Sequence, residues 1–237
     1  MEAKNLKQFS EINESSRIEI KSVIDYANKD RATRWVNASK LGFFHQYKSR
    51  LVNNIYFDTY DYRSINENIS GISNRIKCRI RWYGSFLELF NNPSLEFKYK
   101  SGKIGWKEIF ELDNMRNNEN WDKFNLKVLG SIPDSAKQLY SFFSFPVLIN
   151  QYRREYYISL NKKIRITIDT NIKTYDQRIV SKPSNNMPVL LPDFSVLEFK
   201  FSPFDYEFAS EILNHFPMRI SRCSKYLICF KAITKII

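Results

Sequence analysis

Charged and apolar residues alternate strictly between Arg75 and Arg81, where single apolar residues separate Arg75, Lys77, Arg79 and Arg81. A period of two is that of a β-strand, because successive side chains of a strand point to opposite faces. The pattern therefore predicts a strand with one wholly basic face.

The same alternation returns elsewhere in the chain. It is found at residues 17–21, 96–100, 165–169 and 198–200, each time with a charged stripe opposite an apolar one. If these strands share a closed sheet with the charges inward, they enclose a basic channel for a polyanion. The alternative is that each stripe is the wet face of an ordinary antiparallel sheet. The recurrence favours the channel.

An enclosed basic face has an electrostatic consequence. Cations two residues apart on a strand repel by about 2.5 kcal/mol at an effective dielectric constant of 20. The interspersed acids are Glu19, Glu96, Asp169 and Glu198. They are too few to neutralise the cations, so the channel would require bound anions.

Composition sets the class of protein and of partner. The chain has 237 residues, and we expect one domain over residues 1–237, with residues 1–15 a polar lead. Its 37 Lys and Arg against 25 Asp and Glu give a net charge of +12. This charge favours an acidic partner such as phosphate chains, nucleotides, nucleic acid or an anionic membrane surface.

Several classes of site and location are disfavoured. No stretch approaches the ~18 apolar residues of a membrane span, and the amino terminus has no signal-type run. Cys78, Cys223 and Cys229 lack metal-type spacing, which favours a reduced, cytoplasmic compartment. His45 and His215 stand alone, so any metal should be a hard cation bound by carboxylate oxygen.

Apart from the basic strands, the pattern predicts a helix from residue 25 towards residue 45, with Phe44 buried, followed by a strand at 51–58. A short helix should end at Gly71. Two helices are expected within 114–143, separate strands at 163–170 and 172–176, and an amphipathic stretch after Ser224. Tyr56 and Tyr83 are expected to be core or wall residues rather than base-stacking ones.

Phosphate binding would here depend on side chains, because the chain contains no glycine-rich phosphate loop. Arg79 and Arg81 can each bind two phosphate oxygens, with Lys77 and Arg75 further along the same face. Glu198 lies beside Lys200 on one strand face, where a magnesium or manganese ion could bridge carboxylate and phosphate.

The other acids and a nearby arginine leave two readings open. Glu19 and Glu96 are candidate metal ligands, but an acid among cations is equally well explained by ion pairing. Arg222, close to Ser224 in the sequence, is a further candidate phosphate contact.

The order of these motifs closely resembles the VTC domain, the polyphosphate polymerase domain of the vacuolar transporter chaperone family. That domain belongs to the triphosphate tunnel metalloenzymes, or CYTH-like superfamily. The resemblance runs from Arg17 to beyond Lys225 and is carried by residues 17–21, 55–59, 75–84, 95–98, 152–154, 165–169, 197–200 and 224–226.

The resemblance implies an α+β fold, a closed antiparallel β-tunnel with peripheral helices. It implies transfer of the ATP γ-phosphate to a growing polyphosphate chain, with Mn²⁺ or Mg²⁺ held by Glu198. The residues matched for phosphate binding and catalysis are Lys21, Arg79, Arg81, Lys98, Lys107, Tyr152, Arg154, Arg165, Ser224 and Lys225. Of the adjacent Arg153 and Arg154, only one can face inward from a regular strand, and we expect Arg154.

Two alternatives remain at this stage. A triphosphate hydrolase on the same fold would use water as acceptor, but its members often begin with an E-x-E-x-K motif where this chain has Arg17. A non-catalytic binding module for polyphosphate or nucleic acid would show strongly salt-dependent binding. The resemblance favours ATP and polyphosphate over nucleic acid. Because the sequence lacks the sensor region and membrane helices of eukaryotic members, any membrane partner should be a separate protein.

Overall fold

The computed structural model describes residues 16–85 and 89–235. The expected polar lead, residues 1–15, lies outside the described residues. The strands are β1 (Arg17–Asp25), β2 (Phe44–Asp58), β3 (Arg75–Tyr83), β4 (Leu89–Phe90), β5 (Ser94–Ser101), β6 (Ile104–Glu111), β7 (Met115–Arg116), β8 (Phe145–Ile158), β9 (Ile164–Asp176) and β10 (Phe194–Phe201). The helices are α1 (Lys29–Ala38), α2 (Arg63–Ile69), α3 (Trp121–Ser131), α4 (Asp134–Phe142), α5 (Tyr206–Asn214) and α6 (Lys225–Thr234).

Eight of these strands form a closed barrel in the order β1-β10-β9-β8-β2-β3-β5-β6. Each strand is antiparallel to its neighbours, and β6 returns to β1 through the pairs Arg17–Gly105 and Ile18–Ile104. Closure removes the exposed sheet edges that would otherwise invite aggregation. The structure thereby confirms the predicted closed antiparallel β-tunnel with peripheral helices.

Beyond those two pairs, the edge of β1 is covered by the segment that leads into α6. The Ser221 amide donates to the Lys21 carbonyl at 2.8 Å. The Ser22 hydroxyl donates to the Arg219 carbonyl at 2.8 Å, and the Val23 amide donates to Ser221 Oγ at 3.1 Å. These bonds fix the start of α6 next to the barrel.

The apolar stripes of the strands face outward and are covered by helices. Ile166 of β9 and Phe199 of β10 belong to a buried cluster with Val36 of α1 and Leu213 of α5. On the other side, a second cluster joins β2, β3 and β5 to α3 and α4. Because the apolar residues are used outside, strand alternation turns the charged stripes into the barrel.

The start of β2 differs from the prediction. The expected helix ends at Ala38 instead of continuing towards residue 45, and Phe44 is 45% exposed in the first position of β2. Gly42 takes the left-handed conformation that the turn requires, and Phe44 then pairs with Ile158 of β8. The residues that follow are mostly exposed, so no apolar alternation in the sequence indicates this half of the strand.

Predicted as two strands, residues 164–176 form the single strand β9. Asn171 has a φ of 52°, and the register against β8 shifts between Gln151 and Arg153. A bulge of this kind bends a strand without ending it. The small β4–β7 ribbon was not predicted. The prediction did include two helices within 114–143 and a short helix that ends before Gly71. The amphipathic stretch expected after Ser224 forms α6.

Candidate functional site: a basic tunnel

The charged stripes meet inside the barrel. Lys98 of β5 contacts Glu19 of β1 at 2.6 Å, although β6 lies between these strands in the sheet. Arg81 of β3 similarly reaches the hydroxyl of Tyr152 on β8 at 3.3 Å, with β2 between them. Contacts between non-neighbouring strands are possible only across the interior, so these side chains line a tunnel.

Glu96 is enclosed by three of the predicted phosphate-binding cations. Arg79 donates to it through Nε at 2.8 Å, Lys107 lies 3.2 Å away, and Arg81 lies 3.7 Å away. Burial raises the pKa of Glu96, but these cations hold it well below its usual value. Such complete pairing favours a role in holding the arginines over the predicted role as a metal ligand.

Asp169 holds a second group of cations. Its carboxylate is fully buried, accepts two hydrogen bonds from Arg154 at 2.6 and 2.7 Å, and lies 2.5 Å from Lys225 Nζ. Arg153, the neighbour of Arg154, is exposed. The structure thus places Arg154 inside the tunnel and Arg153 outside, the arrangement that strand alternation requires.

Stability should fall at acidic pH because of Asp169. Burial raises its pKa, but Arg154 and Lys225 outweigh burial and lower the pKa from 3.8 to about 2. A depressed folded-state pKa contributes stability that is present above about pH 4 and lost as pH falls through about 2, here about 2 kcal/mol. Urea unfolding would measure the free energy of unfolding of the wild type and of Asp169→Asn between pH 5 and pH 2. This free energy should fall less steeply with falling pH in the variant. Parallel curves would contradict this.

Glu198 and Glu19 form the part of the tunnel that could hold a metal ion. Both carboxylates contact the Lys21 ammonium, Glu19 at 3.7 Å and Glu198 at 3.4 Å, and Glu198 is also 3.4 Å from Lys200. Glu198 Oε1 is buried and accepts no hydrogen bond from any described residue. Burial lowers the pKa of Lys200 to about 7.

This donor set suits a hard divalent cation. Glu198 Oε1 contacts only the Lys21 ammonium among the described ion pairs, at 3.4 Å. Two neighbouring carboxylates are the kind of ligands that Mg²⁺ and Mn²⁺ use, with waters and substrate phosphates completing the shell. Within the described residues, no group of three or more His, Cys, Asp or Glu side chains could hold a metal alone. The remaining ligands of a metal at this site would come from water or from substrate phosphates.

Helix α6 lies at one end of the tunnel, which we call the α6 end. Ser224 caps the helix by accepting from the Leu227 amide, and its hydroxyl accepts a hydrogen bond from Lys77 Nζ at 2.8 Å. Tyr226 stacks on Tyr56 with ring centroids 4.5 Å apart. The cap therefore brings Ser224 and Lys225 of α6 against the inner face of the barrel.

Lys77 is the cation with the least compensation. Burial is the main reason that its pKa lies well below the usual value, and Lys21 and Lys98 lower it further. Among residues 16–85 and 89–235 it forms no ion pair. Arg75 lies opposite Lys100 in the same strand pair, and Arg222 lowers the pKa of both. The α6 end thus carries a cluster of cations that repel one another.

Arg165 is not brought into the tunnel centre. It is exposed at the opposite end, where burial and the nearby Arg17 lower its pKa. We call this opposite end the open end. Arg165 was predicted as catalytic, but its position assigns it to the rim of the tunnel.

Two buried amides were missed by the sequence reasoning. Asn54 accepts a hydrogen bond from Arg81 Nε at 2.8 Å and donates to Asn150 Oδ1 at 2.8 Å. Both asparagines are fully buried. Their alternation with apolar neighbours in β2 and β8 indicates that each amide lies on the polar face of its strand. Only the strand register shows that the two amides meet beneath Arg81.

A closed antiparallel barrel with a basic, acid-braced interior defines the chain as a triphosphate-tunnel type of protein. The family model for the VTC domain matches residues 6–234. The chain therefore belongs to the VTC domain family. A search of curated protein sequences finds no significant match.

The chain is similar to proteins of known structure. HpAC1 from Hippeastrum, an adenylyl cyclase candidate with a dominant triphosphatase activity, has a TM-score of 0.52 at 12% identity, over 91% of this chain and 94% of that one. The Mimivirus capping enzyme triphosphatase has a TM-score of 0.44 at 15% identity, over 91% and 93% of the two chains.

Within the described residues, no helix is both long and apolar enough to cross a bilayer.

Proposed function

We propose that this protein is a metal-dependent polyphosphate polymerase, which transfers the γ-phosphate of ATP to a growing polyphosphate chain inside the tunnel. An oxygen of the acceptor phosphate would bond to the γ-phosphorus as the bond to the β-phosphate oxygen breaks, which releases ADP. The VTC domain match supports this activity.

The observation that carries the proposal is the uncompensated positive charge of the tunnel. Glu19, Glu96, Asp169 and Glu198 each already contact two or more cations. Lys77 has no acidic partner among the described residues. Enclosed cations at low dielectric repel strongly, so a chain of phosphates is the ligand that relieves most repulsion.

Each group of residues has a distinct task in this proposal. Arg79, Arg81 and Arg154 present planar donors that can each bind two phosphate oxygens, and the acids behind them fix their orientation. Lys21, Lys98, Lys107, Lys200, Lys225, Tyr152 and Ser224 supply further donors along the inner face. Arg75, Lys77 and Arg222 continue the basic surface to the α6 end. Phosphoryl transfer then depends mainly on positioning and charge neutralisation.

A divalent metal would be held by Glu198 with Glu19 beside it. When bound, it would neutralise charge on the phosphate oxygens. Lys21 and Lys200, each 3.4 Å from Glu198, would keep that carboxylate ionised.

The test is product analysis. Purified protein incubated with ATP and Mn²⁺ should form ADP together with long phosphate chains that an exopolyphosphatase digests, and EDTA should stop both. Chains are resolved by urea gel electrophoresis and ADP by anion exchange. Equal amounts of ADP and orthophosphate without chains would indicate the hydrolase instead. Salt-dependent polyphosphate binding without turnover would indicate the non-catalytic module.

A further inference from the structure

An arginine surrounded by three tyrosines lies at the open end of the tunnel. The Arg50 guanidinium carbon is 5.0 Å from the ring centroid of Tyr47, 5.4 Å from that of Tyr83 and 5.7 Å from that of Tyr156. Tyr47 and Tyr156 also make a perpendicular contact, with centroids 5.6 Å apart. We call these four residues the tyrosine cluster.

The cluster is open to solvent, although tyrosine rings are large apolar surfaces that are often buried. Tyr47 is 47% exposed and Tyr83 is 43% exposed. Arg50 is exposed as well, and within residues 16–85 and 89–235 it makes no ion pair and no side-chain hydrogen bond. Exposed tyrosine rings beside a guanidinium that has no acidic partner among the described residues offer a stacking surface for a flat ring.

The cluster also adjoins the phosphate-binding cations. Tyr83 follows Arg81 by two positions on β3, so both point to the inner face, about 6.6 Å apart along the strand. Tyr156 follows Arg154 by two positions on β8, and its ring centroid is 6.0 Å from the Arg154 guanidinium. A molecule with phosphates on Arg81 and Arg154 would therefore extend its other end over the tyrosines.

We propose that the tyrosine cluster binds the base of the nucleotide by stacking, while its phosphates enter the tunnel. This inference rests on the proposed function, because it assumes that a nucleoside triphosphate is a substrate. It also changes the sequence-based expectation that Tyr83 is a core or wall residue. At this site the base lies at the open end, and the γ-phosphate points towards the α6 end.

The test compares a ligand that has a base with one that has none. Calorimetric titration without metal would measure the Kd of ATP and of inorganic tripolyphosphate for the wild type and for Tyr83→Ala. Stacking of one base contributes about 1–3 kcal/mol, so the Kd for ATP should rise roughly 5- to 150-fold in the variant. The Kd for tripolyphosphate should stay within about twofold. Tyr83→Phe, which keeps the ring, should bind ATP like the wild type.

A matched control is Tyr206→Ala on α5, which removes a tyrosine that is 41% exposed and lies 5.8 Å from Lys103 on the outside of the barrel. It should change neither Kd. The base site would be overturned if Tyr83→Ala weakened the binding of ATP and of tripolyphosphate equally. It would also be overturned if the Kd for ATP did not change.

Failure of this inference can be told apart from failure of the proposed function. A wild type that forms polyphosphate, together with a Tyr83→Ala variant that binds ATP normally, would reject the base site alone. A wild type that binds ATP through Tyr83 but forms no chains would support the base site and reject the polymerase.

Discussion

Replacing Glu198 by glutamine should lower the rate of metal-dependent phosphoryl transfer by about 10²–10³-fold, the loss typical of removing one electrostatic contact to a transition state. The change keeps the shape of the side chain but removes the charge from a buried carboxylate that lies 3.4 Å from both Lys21 and Lys200. Initial rates measured across a range of Mn²⁺ concentrations would show the loss.

Binding must be measured alongside the rate. Lys21 and Lys200 lose their shared partner in Glu198→Gln, so metal-free ATP affinity should be retained or increased. The control is Glu211→Gln, an exposed glutamate on α5 that should behave as wild type. A normal rate at saturating metal would contradict the metal role, and so would a parallel loss of rate and metal-free ATP binding.

The alternation of residues predicted the inner face of the tunnel correctly wherever a strand is regular. Arg79 and Arg81 lie inside because Ile80 and Cys78 pack outside, and Arg154 lies inside while Arg153 does not. Local sequence suffices here because the direction of a side chain follows from its position in the strand.

Position along the tunnel was not predictable in the same way. Arg165 shares its face with Asp169, yet it reaches the rim because it is the second residue of β9 and lies opposite Ile158, the last residue of β8. Depth depends on register between strands far apart in sequence, and a single strand carries no information about it. The same reason explains why Asn54 and Asn150 were missed and why the sequence left open whether Glu96 binds a metal or pairs with cations.

The two ends of the tunnel present different side chains. The open end presents the exposed Tyr47 and Tyr83, whereas the tyrosines beside Lys77 at the α6 end, Tyr56 and Tyr226, are buried. If a nucleotide enters at the open end, a phosphate chain without a base can occupy the α6 end.

Removal of the Arg154 side chain should be the most destabilising change in the tunnel. Asp169 is fully buried and would lose two hydrogen bonds, with only Lys225 left to balance its charge. Breaking a buried ion pair in this way costs about 3–5 kcal/mol. The neighbouring change Arg153→Ala removes an exposed arginine and should alter the free energy of unfolding by less than about 0.5 kcal/mol. Urea unfolding near neutral pH would measure both.

A double variant identifies the cause of this loss. If the unpaired buried carboxylate is responsible, then adding Asp169→Asn to Arg154→Ala should recover part of the lost stability, because the charge that lacked a partner is no longer present. If Arg154 contributes mainly through packing of its aliphatic stem, the double variant should be no more stable than Arg154→Ala alone. Equal stability of Arg154→Ala and Arg153→Ala would show that the Asp169 pair does not brace the tunnel.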